Sequence, residues 1–353
     1  MKRHWTTYLL SICALLICSC TQREVLIEGP THGSREVPIS FCGSYVDHAT
    51  TRHPSALRDH LTSMGVWGWC NGMWDDNVQI FADQAVTYNP DSTRWEYNPL
   101  QYWHNQCHYT FYAYAPHQQV TDSQVHIDVE SHMISIDHVT LHGCNLLDTP
   151  SDSAKELFAH TTDTDWMVAR AGQTAVGAAG MDVEFMMQHI LGKLNIRIKE
   201  CEELSIRPYL TGITADSIVI GALPAHGDFA QQFTHTPIIS DPDEADIEEW
   251  AAYDTTLYIK GTHAAQVTVK PIYLVEALVV PHHVGADSHV ELYYSYHYKD
   301  GHTEQCRYLM PLIDAFSRFV SGYNHTLTFT VCSSRIIFEA GAHDWEEKHE
   351  VKG

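Results

Sequence analysis

The chain has 353 residues, enough for about two domains at roughly 150 residues each. It carries 44 Asp and Glu against 21 Lys and Arg, a formal charge of −23, with 44% apolar and 18% charged residues. The apolar fraction excludes a disordered acidic tail. The charge excludes a general nucleic-acid binder, and a protein held to anionic lipid by charge alone, because both need clustered basic side chains.

At the amino terminus, Lys2, Arg3 and His4 precede the apolar run Tyr8–Ile17. A membrane span needs about 20 apolar residues, so residues 1–19 read as a secretory signal. The run ends in Ile17-Cys18-Ser19-Cys20, which resembles a bacterial lipobox: an aliphatic residue, a small residue, then the Cys that receives lipid. The plainer alternative is an ordinary signal peptide with incidental cysteines. On the lipobox reading Cys20 becomes the first residue, and its acyl chains hold the protein to the outer membrane. Residues 20–35 carry Gly and Pro with little periodicity and read as a tether. Of ten Cys, three belong to this region, leaving Cys42, Cys70, Cys107, Cys144, Cys201, Cys306 and Cys332. No CxxC spacing occurs among them, which argues against a structural zinc site. Their pairing stays open, and most read as small buried hydrophobes.

Beyond the tether the dominant period is two. Val125, Ile127 and Val129 alternate with His126, Asp128 and Glu130, and Ile134 and Ile136 follow the same rule. Residues 151–159 predict one short helix capped by Ser151 or Asp152. Residues 183–199 fit a helix or a strand, and are read as a turn or bulge near Gly192 leading into a strand. The run 241–249 reads as an acidic surface loop. Val290, Leu292, Tyr294, Tyr296 and Tyr298 alternate with polar neighbours or Tyr293, and Leu327, Phe329 and Val331 alternate with threonines. Such segments are half-buried strands. Asp300-Gly301 lies where a tight hairpin needs positive φ. The last strand is expected at 336–345. Roughly seven strands fall before residue 140 and about as many after 181, which implies antiparallel β-sandwiches. The expected domains are 36–175 and 176–353.

No catalytic signature stands out: there is no GxSxG, no GxxxxGK[ST] and no HExxH. No enzyme activity and no cofactor are expected. His104 and His108, with Cys107 between them, would share one face of a strand and invite a metal reading, as does the pair His282-His283. Neither brings a third ligand at fixed spacing. Asp241, Asp243 and Asp246 lack the EF-hand pattern. Trp67, Trp69, Trp74, Trp95, Tyr102 and Trp103 invite a sugar platform, but Trp67 and Trp69 share a strand face that reads better as core.

An ordered set of motifs runs through most of the chain. It begins with Val66-Trp67-Gly68-Trp69, then Trp95-x-Tyr97-x-Pro99-x-x-Tyr102-Trp103, then Tyr109-x-Phe111-x-Ala113-Tyr114-Ala115-Pro116. Asp165-Trp166-Met167-x-Ala169, Val183-x-Phe185 and His189 through Ile196 follow, and Val279-Val280-Pro281, Gly322 with Leu327, and Trp345 close it. With the lipobox, this set resembles the fimbrillin-type lipoproteins of type V pili. The resemblance implies an all-β fold of two tandem transthyretin-like antiparallel β-sandwich (Greek-key) domains, and a structural and adhesive role as a fimbrial subunit or an accessory, tip or anchor-like component. The partners implied are other fimbrial subunits by donor-strand exchange and a host or bacterial surface receptor, with location in the fimbrium at the cell surface. It also implies a first strand at about 36–46 that an Arg-specific protease removes, for which Arg52 and Arg58 are the candidates. Neither being cut is the alternative. After Trp345 the chain is short and polar, which is unlike the donor strand of a stalk subunit. A glycan-binding cell-surface lipoprotein of the same architecture is the runner-up. Protein shaved from intact cells and weighed by mass spectrometry is expected to carry lipid on Cys20; an unmodified Cys20 would remove the lipobox reading.

Overall fold

The computed structural model describes residues 37–45, 61–72, 77–104, 107–117, 124–146, 159–161, 163–174, 181–202, 207–234, 247–332 and 335–344. The first strands are β1 (Ser40–Tyr45), β2 (Ser63–Asn71), β3 (Asn77–Asn89), β4 (Arg94–Glu96) and β5 (His108–Ala115). Next come β6 (Val125–Asp128), β7 (Met133–Thr140), β8 (Cys144–Leu146), β9 (Ala159–Thr161), β10 (Met167–Thr174), β11 (Asp182–His189) and β12 (Gly192–Glu200). They are followed by β13 (Leu210–Leu223), β14 (His226–Gln232), β15 (Ile247–Tyr253), β16 (Leu257–Val267), β17 (Ile272–Val279) and β18 (His282–His283). The last are β19 (His289–Tyr298), β20 (Thr303–Pro311), β21 (Arg318–Phe319), β22 (Tyr323–Val331) and β23 (Ile336–Asp344). The protein is all-β, as the alternation of its side chains requires.

Seven strands form one sheet in the order β1-β11-β10-β5-β2-β3-β4. Its inner strands are buried on both faces. On β2, Met64 and Val66 point to one side, while Trp67 and Trp69 pack on the other. On β5, Tyr109, Phe111, Ala113 and Ala115 take the first side and Tyr112 and Tyr114 the second. The second face is covered by a four-stranded sheet, β15-β14-β7-β6, through Ile134, Ile136 and Phe229. The first face is covered by the sheet itself, because its two end strands, β1 and β4, touch. Gly68 explains the Val-Trp-Gly-Trp motif: a Cβ there would lie 2.8 Å from the rings of both Phe111 and Phe81.

A six-stranded sheet, β23-β22-β12-β17-β9-β8, and a four-stranded sheet, β16-β13-β19-β20, form the other sandwich. Tyr308 on β20 meets Phe329 on β22 edge-on, and the Tyr296 hydroxyl donates to the Cys332 carbonyl at 2.6 Å, so the two layers are joined by rings and by a hydrogen bond. The apolar core of this sandwich is continuous with that between β5 and β7: Tyr112 and Ile134 belong to the same cluster as Leu327 and Phe329.

Pairing is mostly antiparallel, but β1 with β11, β12 with β22 and β9 with β17 run parallel. Hydrogen bonding also crosses residue 175 in both directions. β11 pairs with β10 and β1, whereas the hairpin β14–β15 pairs with β7. The ambiguous stretch 183–199 is not helical. It forms β11 and β12, whose junction is the two residues Ile190 and Leu191, just before Gly192. The 241–249 run is not all loop, since residues 247–249 begin β15. The expected hairpin is present: Gly301 has φ +84° between β19 and β20, and the Asp300 carboxylate accepts from the His302 amide at 2.9 Å. The helix expected at 151–159 falls outside the described residues, apart from Ala159, which opens β9.

Among the described residues, one histidine is fully internal. His325 on β22 is 1% exposed, and its ring meets the edges of Phe316 and Phe319 at 5.5 and 4.9 Å. Its two ring nitrogens meet no hydrogen-bond partner of good geometry among the described residues. Burial holds its pKa down at about 4 from an ordinary 6.5. His282 lies against Phe319 and is lowered for the same reason. The folded state therefore resists a proton that the unfolded chain accepts. Stability is full above pH 6.5 and falls as pH drops toward 4, by about 3 kcal/mol at most for His325. Urea titrations at pH 7.5 and 4.5 are expected to show this loss, and His325→Leu to narrow the difference by about 2 kcal/mol.

Candidate functional site

The seat of β1 is the place where the fold depends on one short segment. Residues 40–45 pair in parallel with β11, from Ser40 opposite Asp182 to Tyr45 opposite Met187. Residues 37–39 are held on the opposite side by the chain after β4. The Ile39 amide donates to the Gln101 carbonyl at 2.8 Å, and the Trp103 amide to the Val37 carbonyl at 3.0 Å. Pro38 bridges Tyr102, and the Tyr97 hydroxyl donates to the Ile39 carbonyl at 2.7 Å. The Ser40 hydroxyl donates to the Asp182 carboxylate. The segment is thus the last stave of a curled sheet, bonded along both its edges. The motif Trp95-x-Tyr97-x-Pro99-x-x-Tyr102-Trp103 supplies one bank of the seat, a role that its sequence alone did not disclose.

Side chains fix the segment more firmly than these hydrogen bonds. Phe41 is 4% exposed and lies in a ring cluster. It meets Phe81 and Tyr97 at 5.4 Å, Phe185 at 5.8 Å and Phe111 at 5.9 Å, with edge-on, tilted and stacked geometries. Ile39 is buried beside it, while Pro38 points to solvent. This is a half-buried strand in its plainest form, with alternate residues filling one groove. Cys42 sits on the same segment. Burial, then the carboxylates of Asp182 and Glu184, push its thiol up to about 11, so it is not a reactive thiolate.

The other residues singled out by sequence are dispersed. Cys20, Arg52, Arg58, Trp74, Asp241, Asp243, Asp246 and Trp345 lie outside the described residues. His104 is exposed on the loop before β5 and His108 opens that strand, so they do not share a strand face as their spacing suggested. His282 is turned inward and His283 outward on β18, so that pair does not converge either. Among the described residues no three His, Cys, Asp or Glu side chains gather as metal ligands. Trp67 and Trp69 pack against Tyr114 and Tyr112 of the neighbouring strand, and so face the core as expected. Trp103 packs edge-on against Tyr109 at 4.8 Å. Cys70 and Cys107 face one another at the end of this cluster; burial first, then Cys107, pushes the Cys70 thiol up to about 12.

Phe41→Ala is expected to destabilise the folded chain by about 3 to 5 kcal/mol, as for other large buried aromatics. Denaturant unfolding measures this. A loss below about 1 kcal/mol would show that the groove does not depend on its first strand.

Comparison with known proteins agrees with this architecture. Residues 55–345 match the family model described as fimbrillin-like. Among solved structures, a fimbrial protein from Bacteroides vulgatus is 16% identical with a TM-score of 0.57, covering 88% of this chain and 99% of its own. The tip fimbrial protein Mfa3 from Porphyromonas gingivalis is 11% identical with a TM-score of 0.36, covering 88% and 100%. A fimbrial assembly protein from Parabacteroides distasonis is 9% identical with a TM-score of 0.35, covering 88% and 99%. The first shares the fold; the other two add no argument at these scores. No match is found among curated proteins.

Proposed function

The chain belongs to the fimbrillin-like family, and on that premise we propose that it is a structural and adhesive subunit of a surface fimbrium, joined to neighbouring subunits by exchange of its first strand. The observation that carries the reading is the seat of β1. Withdrawing residues 37–45 would expose the rings of Phe81, Tyr97, Phe111 and Phe185, together with the hydrogen-bonding edge of β11. An open apolar groove beside an unpaired strand edge is a site for an added strand. A neighbour's strand with apolar residues at alternate positions would refill it, each large side chain contributing roughly 1.5–3 kcal/mol.

The rest of the assembly follows from the same premise. Cleavage after Arg52 or Arg58 releases the strand, and lipid on Cys20 holds the unprocessed protein to the outer membrane until then. The chain brings binding surfaces to this task rather than a catalytic group.

The test is peptide capture. A chain lacking residues 1–58 is expected to bind a labelled peptide of residues 37–45, and to bind the same peptide with Phe41→Ala at least about 100-fold more weakly, in keeping with the cost of truncating a buried aromatic. Fluorescence anisotropy reads both. Equal binding of the two peptides, or none, would remove strand exchange as the mode of assembly.

A further inference from the structure

At one end of the sandwich formed by the six-stranded sheet and the sheet β16-β13-β19-β20, the two layers part around a cavity of about 480 Å³, within the usual size of a ligand site. Its floor is set by the alternation of β19: Tyr294, Tyr296 and Tyr298 all point to the inner face. Deep in the cavity, Tyr296 is tied to the Cys332 carbonyl. Toward the mouth Tyr209 becomes available, while Tyr298 is also stacked on by His302, with centroids 5.6 Å apart. Tyr209 is 48% exposed and stacks on Tyr298, with centroids 6.3 Å apart and planes within 12°. Polar groups stand around this ring pair. The Tyr298 hydroxyl donates to Glu304 at 2.8 Å, Arg207 donates to the Tyr209 hydroxyl at 2.6 Å, and the exposed Arg335 enters from the start of β23.

The charge balance is local and unusual for this protein. In a chain of net charge −23, the described residues that line the cavity set two guanidiniums against one carboxylate. Neither Arg207 nor Arg335 makes an ion pair with a described carboxylate. Charge beyond about 10 Å is screened at ordinary ionic strength, so the two arginines dominate what a bound molecule feels. A guanidinium fork matches a carboxylate. Flat tyrosine rings suit the CH face of a pyranose, whose hydroxyls find the Tyr and Glu304 oxygens. A cage of tyrosines also suits a quaternary ammonium ion, but two arginines repel one.

We propose that this cavity binds an acidic saccharide, its pyranose ring laid on the Tyr209–Tyr298 pair and its carboxylate held by Arg207 and Arg335. The site is at a distance from strand exchange and does not depend on it.

Titration calorimetry of the full chain with α2,3-sialyllactose, a glucuronate disaccharide, lactose and phosphocholine tests the assignment. Saturable binding of at least one of the two acidic sugars is expected, with lactose and phosphocholine each at least about 10-fold weaker, the cost of losing a charged hydrogen bond. Arg335→Gln is expected to weaken the acidic sugar by about 10-fold or more, and Tyr209→Ala by several-fold. Glu304→Gln, which removes the one opposing carboxylate, is expected to tighten it. Arg94→Gln, on the remote strand β4, leaves it unchanged. Arg335 and Tyr209 are surface residues, and a thermal melt confirms that each variant folds. No saturable binding of either acid, equal affinity for lactose, preference for phosphocholine, or indifference to Arg335→Gln would each overturn the proposal. None of these outcomes bears on peptide capture at the β1 seat.

Discussion

The packing of Phe41 among Phe81, Tyr97, Phe111 and Phe185 is the contact on which the first sandwich depends. A flat sheet of seven strands would leave one face wet unless another layer covered it. This sheet curls until β1 touches β4, and so encloses its own second core. Curling needs little more than the ordinary right-handed twist of strands, but closure needs a stave that bonds on both sides. Residues 37–45 do so, to β11 on one side and to residues 101–103 on the other. A single short segment near the start of the sequence therefore completes a core built mostly from residues far along it.

That arrangement explains which parts of the fold were legible. Alternation along Val125–Asp128, His289–Tyr298 and Tyr323–Val331 marks strands because each has one wet face. Gly301 marks a hairpin because only its φ suits the turn. The stretch 183–199 stayed ambiguous for a physical reason. Leu194, Ile196 and Ile198 keep the period of two on β12, but Ile190 and Leu191 are buried side by side at the junction and the apolar Met186 is exposed on β11, so apolar residues also fall at helical spacing. Partner choice was not legible either. Nothing local in Phe229 says that β14 pairs with β7 rather than with a strand nearer in sequence, and nothing in Ser40 says that β1 runs parallel to β11. Register of that kind is decided by which apolar faces meet, which is a property of two distant segments together.

The site was half legible for the same reason. The first strand was placed at 36–46 by the family resemblance, and its Ile39 and Phe41 face inward. Its other bank was not: Tyr102 and Trp103 suggested a sugar platform and, with Tyr97, a family motif, but not a strand seat until Tyr97 is seen bonding Ile39. Histidine spacing misled in the opposite direction. His104 and His108 are close in sequence but separated by the start of β5, whereas His282 and His325, distant in sequence, share the Phe319 ring. The histidine-rich composition thus contains at least two members that belong to the core.

If the β1 seat accepts a neighbour's strand, as proposed, the other sheet edges must refuse one. Four of the other edge strands show how. β15 carries exposed Glu249, β20 exposed Glu304 and Arg307, β23 exposed Glu339, and β6 exposed His126 and Asp128. Charged side chains along an edge oppose unplanned pairing, and the surplus of acidic residues makes two such edges repel one another at close range. The β11 edge is charged as well, through exposed Asp182 and Glu184, but Val183, Phe185 and Met187 alternate with them toward the core. An incoming strand that offers apolar groups at the matching positions gains the groove, while one that does not meets only the carboxylates. On the proposed strand exchange, the charge excess and the apolar groove would act together, the acidic surface setting the background against which the β1 seat selects its strand.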